Sequence, residues 1–259
     1  MLAKFAKLRF NTVVGKKIVM AITGLAMCLF LVGHLAGNLL LVWKKDAFNA
    51  YAEFLTPLPL VPIMELGLLL ILLFHVFDAF ALLRVNSNAR PVPYHTKKWG
   101  RSKSPKSKKT VASTFMMWSG IVILVFIVFH VWHFKYHHPV FSEKVGGGHN
   151  PNLVLGGLSG GNPGVAQPGV GENSGQEAFK LATLVINELS NPIMGGIYVL
   201  CMVILGLHLY HAVSSAFTSL GANHPRYQKG LIWFGNIFTL VICGGFTIIP
   251  VLILLKVVK

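Results

Sequence analysis

Five apolar stretches of the chain run for 24 residues or more without a lysine or arginine: Ile18 to Trp43, Leu60 to Leu83, Thr110 to Phe134, Pro192 to Gly221 and Gly230 to Leu255. Each exceeds the roughly 20 residues that cross a bilayer at about 1.5 Å of rise per residue. Hydrocarbon offers no hydrogen bonds, so each segment has to satisfy its own backbone, and all five are expected to be helices. The pattern predicts an all-α integral membrane protein, a five-span bundle forming one domain over residues 1–259.

The segment before the first span interleaves Leu2, Phe5 and Phe10 with basic residues and reads as a short interfacial helix or a basic tail. The first span is not read as a secretory signal, because its apolar run is too long and no A-x-A site follows. Between the third and fourth spans, residues 142–178 are dominated by glycine, proline and small polar residues, the composition of a flexible outer loop or a lid. No internal repeat is evident.

Composition agrees with a membrane protein: of 259 residues, 54% are hydrophobic and 12% charged, and mean hydropathy is +0.63. The net charge of +15 does not point to nucleic acid, because the basic residues sort by loop. Sixteen fall in the N-terminal segment, the Arg84–Lys109 loop and the turn with Arg226 and Lys229, against seven on the other side. By the positive-inside rule this predicts a cytoplasmic N-terminus and an outside C-terminus, as expected in a bacterial inner membrane. Cys28, Cys201 and Cys243 lie in separate spans, which excludes a disulfide framework, an iron–sulfur cluster and C-x-x-C-H haem attachment on this chain.

Histidine is the residue that does not belong in such spans. Six of the eleven, His34, His75, His130, His133, His208 and His211, fall within them. Polar side chains inside a membrane are costly, face the bundle interior and commonly mark function. His34 stands nine residues from Trp43 and His130 about five from Lys135, both toward the outer end. His75 stands nine residues from Arg84 and His208 about thirteen from Gly221, both nearer the inner end. Four helices thus offer one histidine each at two matched depths, the arrangement of two stacked haems clamped by opposed imidazoles, with levels roughly 8 residues or about 12 Å apart. Gly33, Gly37 and Gly206 are candidates for making room beside the ligands, though a G-x-x-x-G also serves plain helix packing. His133 and His211 follow at i+3 on nearly the same faces, so either is an alternative to its neighbour. Zinc bound by these H-x-x-H pairs is a further reading, for which no additional ligand is well placed.

The segments GKKIVMAITGL from Gly15, GHLAGNLLLV from Gly33, AFNAYAEFL from Ala47, SGIVILVFIVFHVWHF from Ser119 and GLHLYHAVSSAFTSLG from Gly206 carry a resemblance. In this order they resemble the five-helix, dihaem cytochrome b membrane subunit of succinate dehydrogenases and fumarate reductases. The likeness covers nearly all the chain except the glycine-rich loop. It implies two b haems: an outer one on His34, from G-H-L-x-G-N, and His130; an inner one on His75, from L-L-F-H, and His208, from G-L-H-L. It further implies a flavoprotein subunit and an iron–sulfur subunit docked on the cytoplasmic face, and a quinone, menaquinone by analogy, as electron acceptor or donor. The Arg84–Lys109 loop is a candidate docking surface, or a topology signal touching anionic lipid.

Glu53, in the loop after the first span, is the candidate for proton exchange with quinone, as in the fumarate reductase relatives, and Glu65 is a second choice. The glutamate that precedes the fourth-helix ligand in some members is missing here, where Gly206 and apolar residues stand instead. Asp78, three residues beyond His75, is an unusual intramembrane acid that hydrogen-bonds locally, titrates with the inner haem, or snorkels inward. Two rival readings are the cytochrome b anchor of another quinone-linked dehydrogenase or hydrogenase, and a haemless transporter whose histidines line a path.

Overall fold

The computed structural model describes residues 12–56, 58–89, 111–136, 181–222 and 224–258, and these are α-helical with no strand among them. In chain order the helices are α1 (Val13–Trp43), α2 (Lys45–Leu55), α3 (Leu60–Asn88), α4 (Val111–Val131), α5 (Leu181–Ser190), α6 (Pro192–Ser219) and α7 (Pro225–Leu254). A π-helical turn, Trp132–Tyr136, continues α4. Five of these, α1, α3, α4 with its π turn, α6 and α7, are long and apolar enough to cross a membrane, so the chain is an all-α, multi-pass membrane protein. The interfacial N-terminal segment, most of the basic loop and the glycine-rich loop lie outside the described residues.

α1, α3 and α7 outrun their lysine- and arginine-free cores. α1 starts at Val13, where the Thr12 hydroxyl accepts the Gly15 N–H at 3.0 Å. It therefore takes in Lys16 and Lys17, since a cap fixes where a helix begins and a lysine does not prevent one. α3 runs past Arg84 to Asn88, and α7 begins at Pro225, behind a His224 cap and with proline in its first turn, where the missing N–H costs nothing.

α1 packs on α3, α6 and α7, and α6 packs on α4 and α7. The tightest core lies among α1, α5, α6 and α7, with Leu41, Leu184 and Ile253 almost wholly enclosed. In contrast, α3 and α4 bury little and present Phe74, Phe77, Phe80, Trp118, Val125 and Val128 outward. That is a fitting surface for lipid, where exposed apolar side chains carry no penalty.

Two short helices were not expected. The segment holding Glu53, read as a loop, is α2, with Asp46 in its first turn and Phe48 and Asn49 buried. Its Asn49 Oδ1 accepts the Ala182 N–H of α5 at 2.9 Å. Together α2 and α5 roof one end of the bundle, here called the capped end; the opposite end is the open end. An ion pair of Glu65 with Lys135 at 2.6 Å ties the start of α3 to the π turn at the same end.

Candidate functional site

At the open-end level, His75 of α3 leans on α1. Its Nδ1 lies 3.2 Å from Thr23 Oγ1, while the Thr23 hydroxyl donates to Val19 and Met20 carbonyls at 2.8 and 3.1 Å. With its proton on a carbonyl the Thr23 oxygen can accept from an Nδ1–H of His75, the tautomer that leaves Nε2 with its lone pair. His208 of α6 does the same on α4: Nδ1 is 3.1 Å from Ser119 Oγ, and Ser119 donates to Met116 O at 3.0 Å. His75 and His208 lie within electrostatic range of each other. Each ring rests on a glycine, since a Cβ at Gly24 would stand 3.3 Å from His75 Cε1 and one at Gly120 3.5 Å from His208 Cε1.

At the capped-end level, His34 of α1 and His130 of α4 have ring centres 5.9 Å apart at 81°. An ion shared by two imidazoles at about 2 Å per bond, with about 1 Å from nitrogen to ring centre, sets the rings about 6 Å apart. Phe30 stacks on His34 at 5.2 Å and Phe126 on His130 at 5.7 Å, each from one turn earlier. Asn38 donates to the His34 carbonyl at 2.8 Å and stands 3.5 Å from its Nδ1.

The two levels expose a repeat that the sequence hid. Met20, Thr23, Gly24, Phe30 and His34 recur exactly 96 positions later as Met116, Ser119, Gly120, Phe126 and His130. In the partner helices His75, Phe77 and Ala79 match His208, Tyr210 and Ala212. The α1–α3 and α4–α6 pairs are thus equivalent halves, and each level takes one histidine from each half. The anchor and the ligand on α1 are 11 residues apart, as they are on α4, so the levels are separated by about 16 Å at about 1.5 Å per residue.

The structure also separates His130 from its alternative. His133 is 2% exposed, with Nε2 3.0 Å from Glu188 Oε2 of α5 and Nδ1 3.2 Å from the Tyr198 hydroxyl of α6. Both its nitrogens are committed, and His130 is the histidine on α4 that faces His34. His211 stays beside His208, half-buried. Among the described residues no three His, Cys, Asp or Glu side chains gather in a metal-binding group. A haem iron, already held by its porphyrin, takes only two axial ligands. The four Nε2-bearing rings in two facing pairs are the residues that could hold one.

Other expectations shift. Gly33 has open space beside it, but Gly37 receives the Tyr51 ring and Gly206 faces Cys243 of α7, so neither makes room at a ligand. The glycines under the rings are Gly24 and Gly120. Asp78 is buried against α1, with Lys16 its neighbouring charge. Glu53 is exposed on α2 and Glu65 is spent on Lys135. Glu188 was missed altogether: it sits 55 residues from His133 in sequence, and no local pattern joins them. No family model, curated protein or solved structure matches the chain.

Proposed function

We propose that this chain is the membrane anchor and electron-transfer subunit of a succinate:quinone oxidoreductase, holding an outer b haem between His34 and His130 and an inner one between His75 and His208. The observation that carries the haem reading is the pair of anchored rings, His75 on Thr23 and His208 on Ser119, each with Nδ1 against a hydroxyl oxygen that can take its hydrogen. Metal-bound histidines characteristically give their second nitrogen to such an acceptor, which fixes tautomer and orientation. A histidine kept only for packing gains nothing from a neighbour presenting a second bare nitrogen. The choice of succinate or fumarate chemistry rests on the sequence resemblance, as do the flavoprotein and iron–sulfur partners.

In this reading the open end is cytoplasmic and receives the iron–sulfur subunit, and the capped end faces outward in a bacterial inner membrane. When bound, bis-histidine haems supply one-electron transfer and keep no open position for oxygen chemistry. The chain's own residues set depth and separation: Thr23 and Ser119 seat one level, and the 11-residue stretches of α1 and α4 set the other. Quinone, menaquinone by analogy, exchanges protons with Glu53 on the exposed face of α2.

A pyridine haemochrome assay on the purified chain is expected to give two haem b per polypeptide, released without covalent cleavage. One haem, or none, ends the dihaem reading; none, with transport activity, supports the transporter. Co-purification with hydrogenase or formate dehydrogenase subunits would keep the haems and change the enzyme. For Glu53→Gln the expected result is full haem content with quinone turnover reduced on the order of 100-fold, the scale of a lost proton-transfer group. Unchanged turnover would remove Glu53 from the quinone site.

A further inference from the structure

His130 differs from the other three facing histidines in what lies behind it. Its Nδ1 is 3.3 Å from the Tyr198 hydroxyl, the same hydroxyl lies 3.2 Å from His133 Nδ1, and His133 Nε2 lies 3.0 Å from Glu188 Oε2. Four side chains from α4, its π turn, α6 and α5 thereby form one continuous path, with Tyr198 and His133 buried. The donors and acceptors along it permit one order for a neutral His133. An ionised carboxylate only accepts, so His133 Nε2 donates to Glu188 and its Nδ1 accepts. Tyr198 then gives its single proton to His133, and its oxygen takes the remaining hydrogen from His130 Nδ1. His130 is left with a bare Nε2, the nitrogen a metal needs.

We propose that Glu188, His133 and Tyr198 are positioning residues for His130, fixing its tautomer and relaying the carboxylate's negative charge so as to set the redox potential of the outer haem iron. The proposal rests on the haem reading above and goes beyond it. The open-end pair rests on the hydroxyls of Thr23 and Ser119, and His34 stands beside the amide of Asn38; among the hydrogen bonds of the described residues, it is the contact of His130 with Tyr198 that leads on to a carboxylate. A carboxylate behind a ligating histidine raises the ligand's basicity, which favours the more positive ferric state. His34 and His130, which the repeat makes equivalent, therefore differ in what stands behind them, for a reason lying outside the repeat. Glu188 belongs to α5, whose Ala182 N–H is held by Asn49 of α2, so the cap over the bundle is what brings the charge into place.

The test is a spectroelectrochemical titration of the purified full-length protein, with the outer haem identified as the component lost in His34→Ala. Glu188→Gln keeps the shape and the hydrogen bond but removes the charge; Tyr198→Phe cuts the path one step from the ligand. Both variants are expected to retain the outer haem and to favour its reduced form on the order of ten-fold more than wild type, an upward shift of about 59 mV for one electron, with the inner haem unmoved. If Tyr198→Phe fails to bind the outer haem, Glu188→Gln decides alone. A Glu188→Gln protein with both haems and a wild-type outer potential overturns the proposal and leaves the haem reading intact. A wild-type protein without haem overturns that reading and this proposal together.

Discussion

If the chain holds the two b haems proposed, replacing His75 or His208 by alanine is expected to leave one of them, with the surviving low-spin signal that of the His34–His130 level. Each open-end imidazole comes from a different half of the bundle, so either substitution removes one of only two axial ligands and leaves the other ring anchored opposite nothing. The partner's bare nitrogen then faces a gap in an apolar environment, a site that neither holds haem nor is filled cheaply by another polar group. Second-sphere changes should be graded below this: Thr23→Val or Ser119→Ala keeps the imidazole but frees its Nδ1, and about 10- to 100-fold weaker retention is expected. Haemochrome content and low-temperature electron paramagnetic resonance would measure both. If His211→Ala removed the inner signal while His208→Ala left it, the ligand within that H-x-x-H pair would be the later histidine.

Gly24→Leu and Gly120→Leu should also remove the inner haem, though they touch no ligand atom chemically. A Cβ alone at Gly24 would already sit 3.3 Å from His75 Cε1, closer than ordinary contact, and one at Gly120 3.5 Å from His208 Cε1. The further carbons of leucine have to displace the ring, which breaks the Nδ1 anchor and turns Nε2 away; inserting such volume into a packed site costs about 1–3 kcal/mol even where the chain still folds. Alanine should separate the two positions, with Gly24→Ala weakening haem retention more than Gly120→Ala. At Gly33 a Cβ meets no protein atom within 4 Å, so Gly33→Ala should leave folding of the chain unchanged. Equal haem content in Gly24→Leu and wild type would show that the ring does not rest on that glycine in the membrane.

Much of this was legible in the residues. The five spans follow from apolar length without lysine or arginine, because a lipid environment leaves the backbone no alternative to helix. The pairing of His34 with His130 and of His75 with His208 follows from counting residues to the span ends, because rise per residue converts position to depth. Span edges were less legible, since Thr12 and His224 set two of them through capping bonds that ignore hydropathy. α2 and α5 were invisible to a criterion built on membrane-crossing length, being only 11 and 10 residues long.

The sequence by itself determined that this is an all-α membrane protein with histidines at two depths, because solvent and helix geometry act on every residue independently of its distant neighbours. Only the tertiary structure decided which side chain each ring nitrogen meets, which glycines lie beneath the rings, that His133 belongs to Glu188 and Tyr198, and which matches 96 residues apart mark equivalent contacts. Those facts depend on hydrogen bonds and contacts between side chains 52 to 89 residues apart. Such bonds need directions as well as depths, and direction is settled only when helices pack face to face.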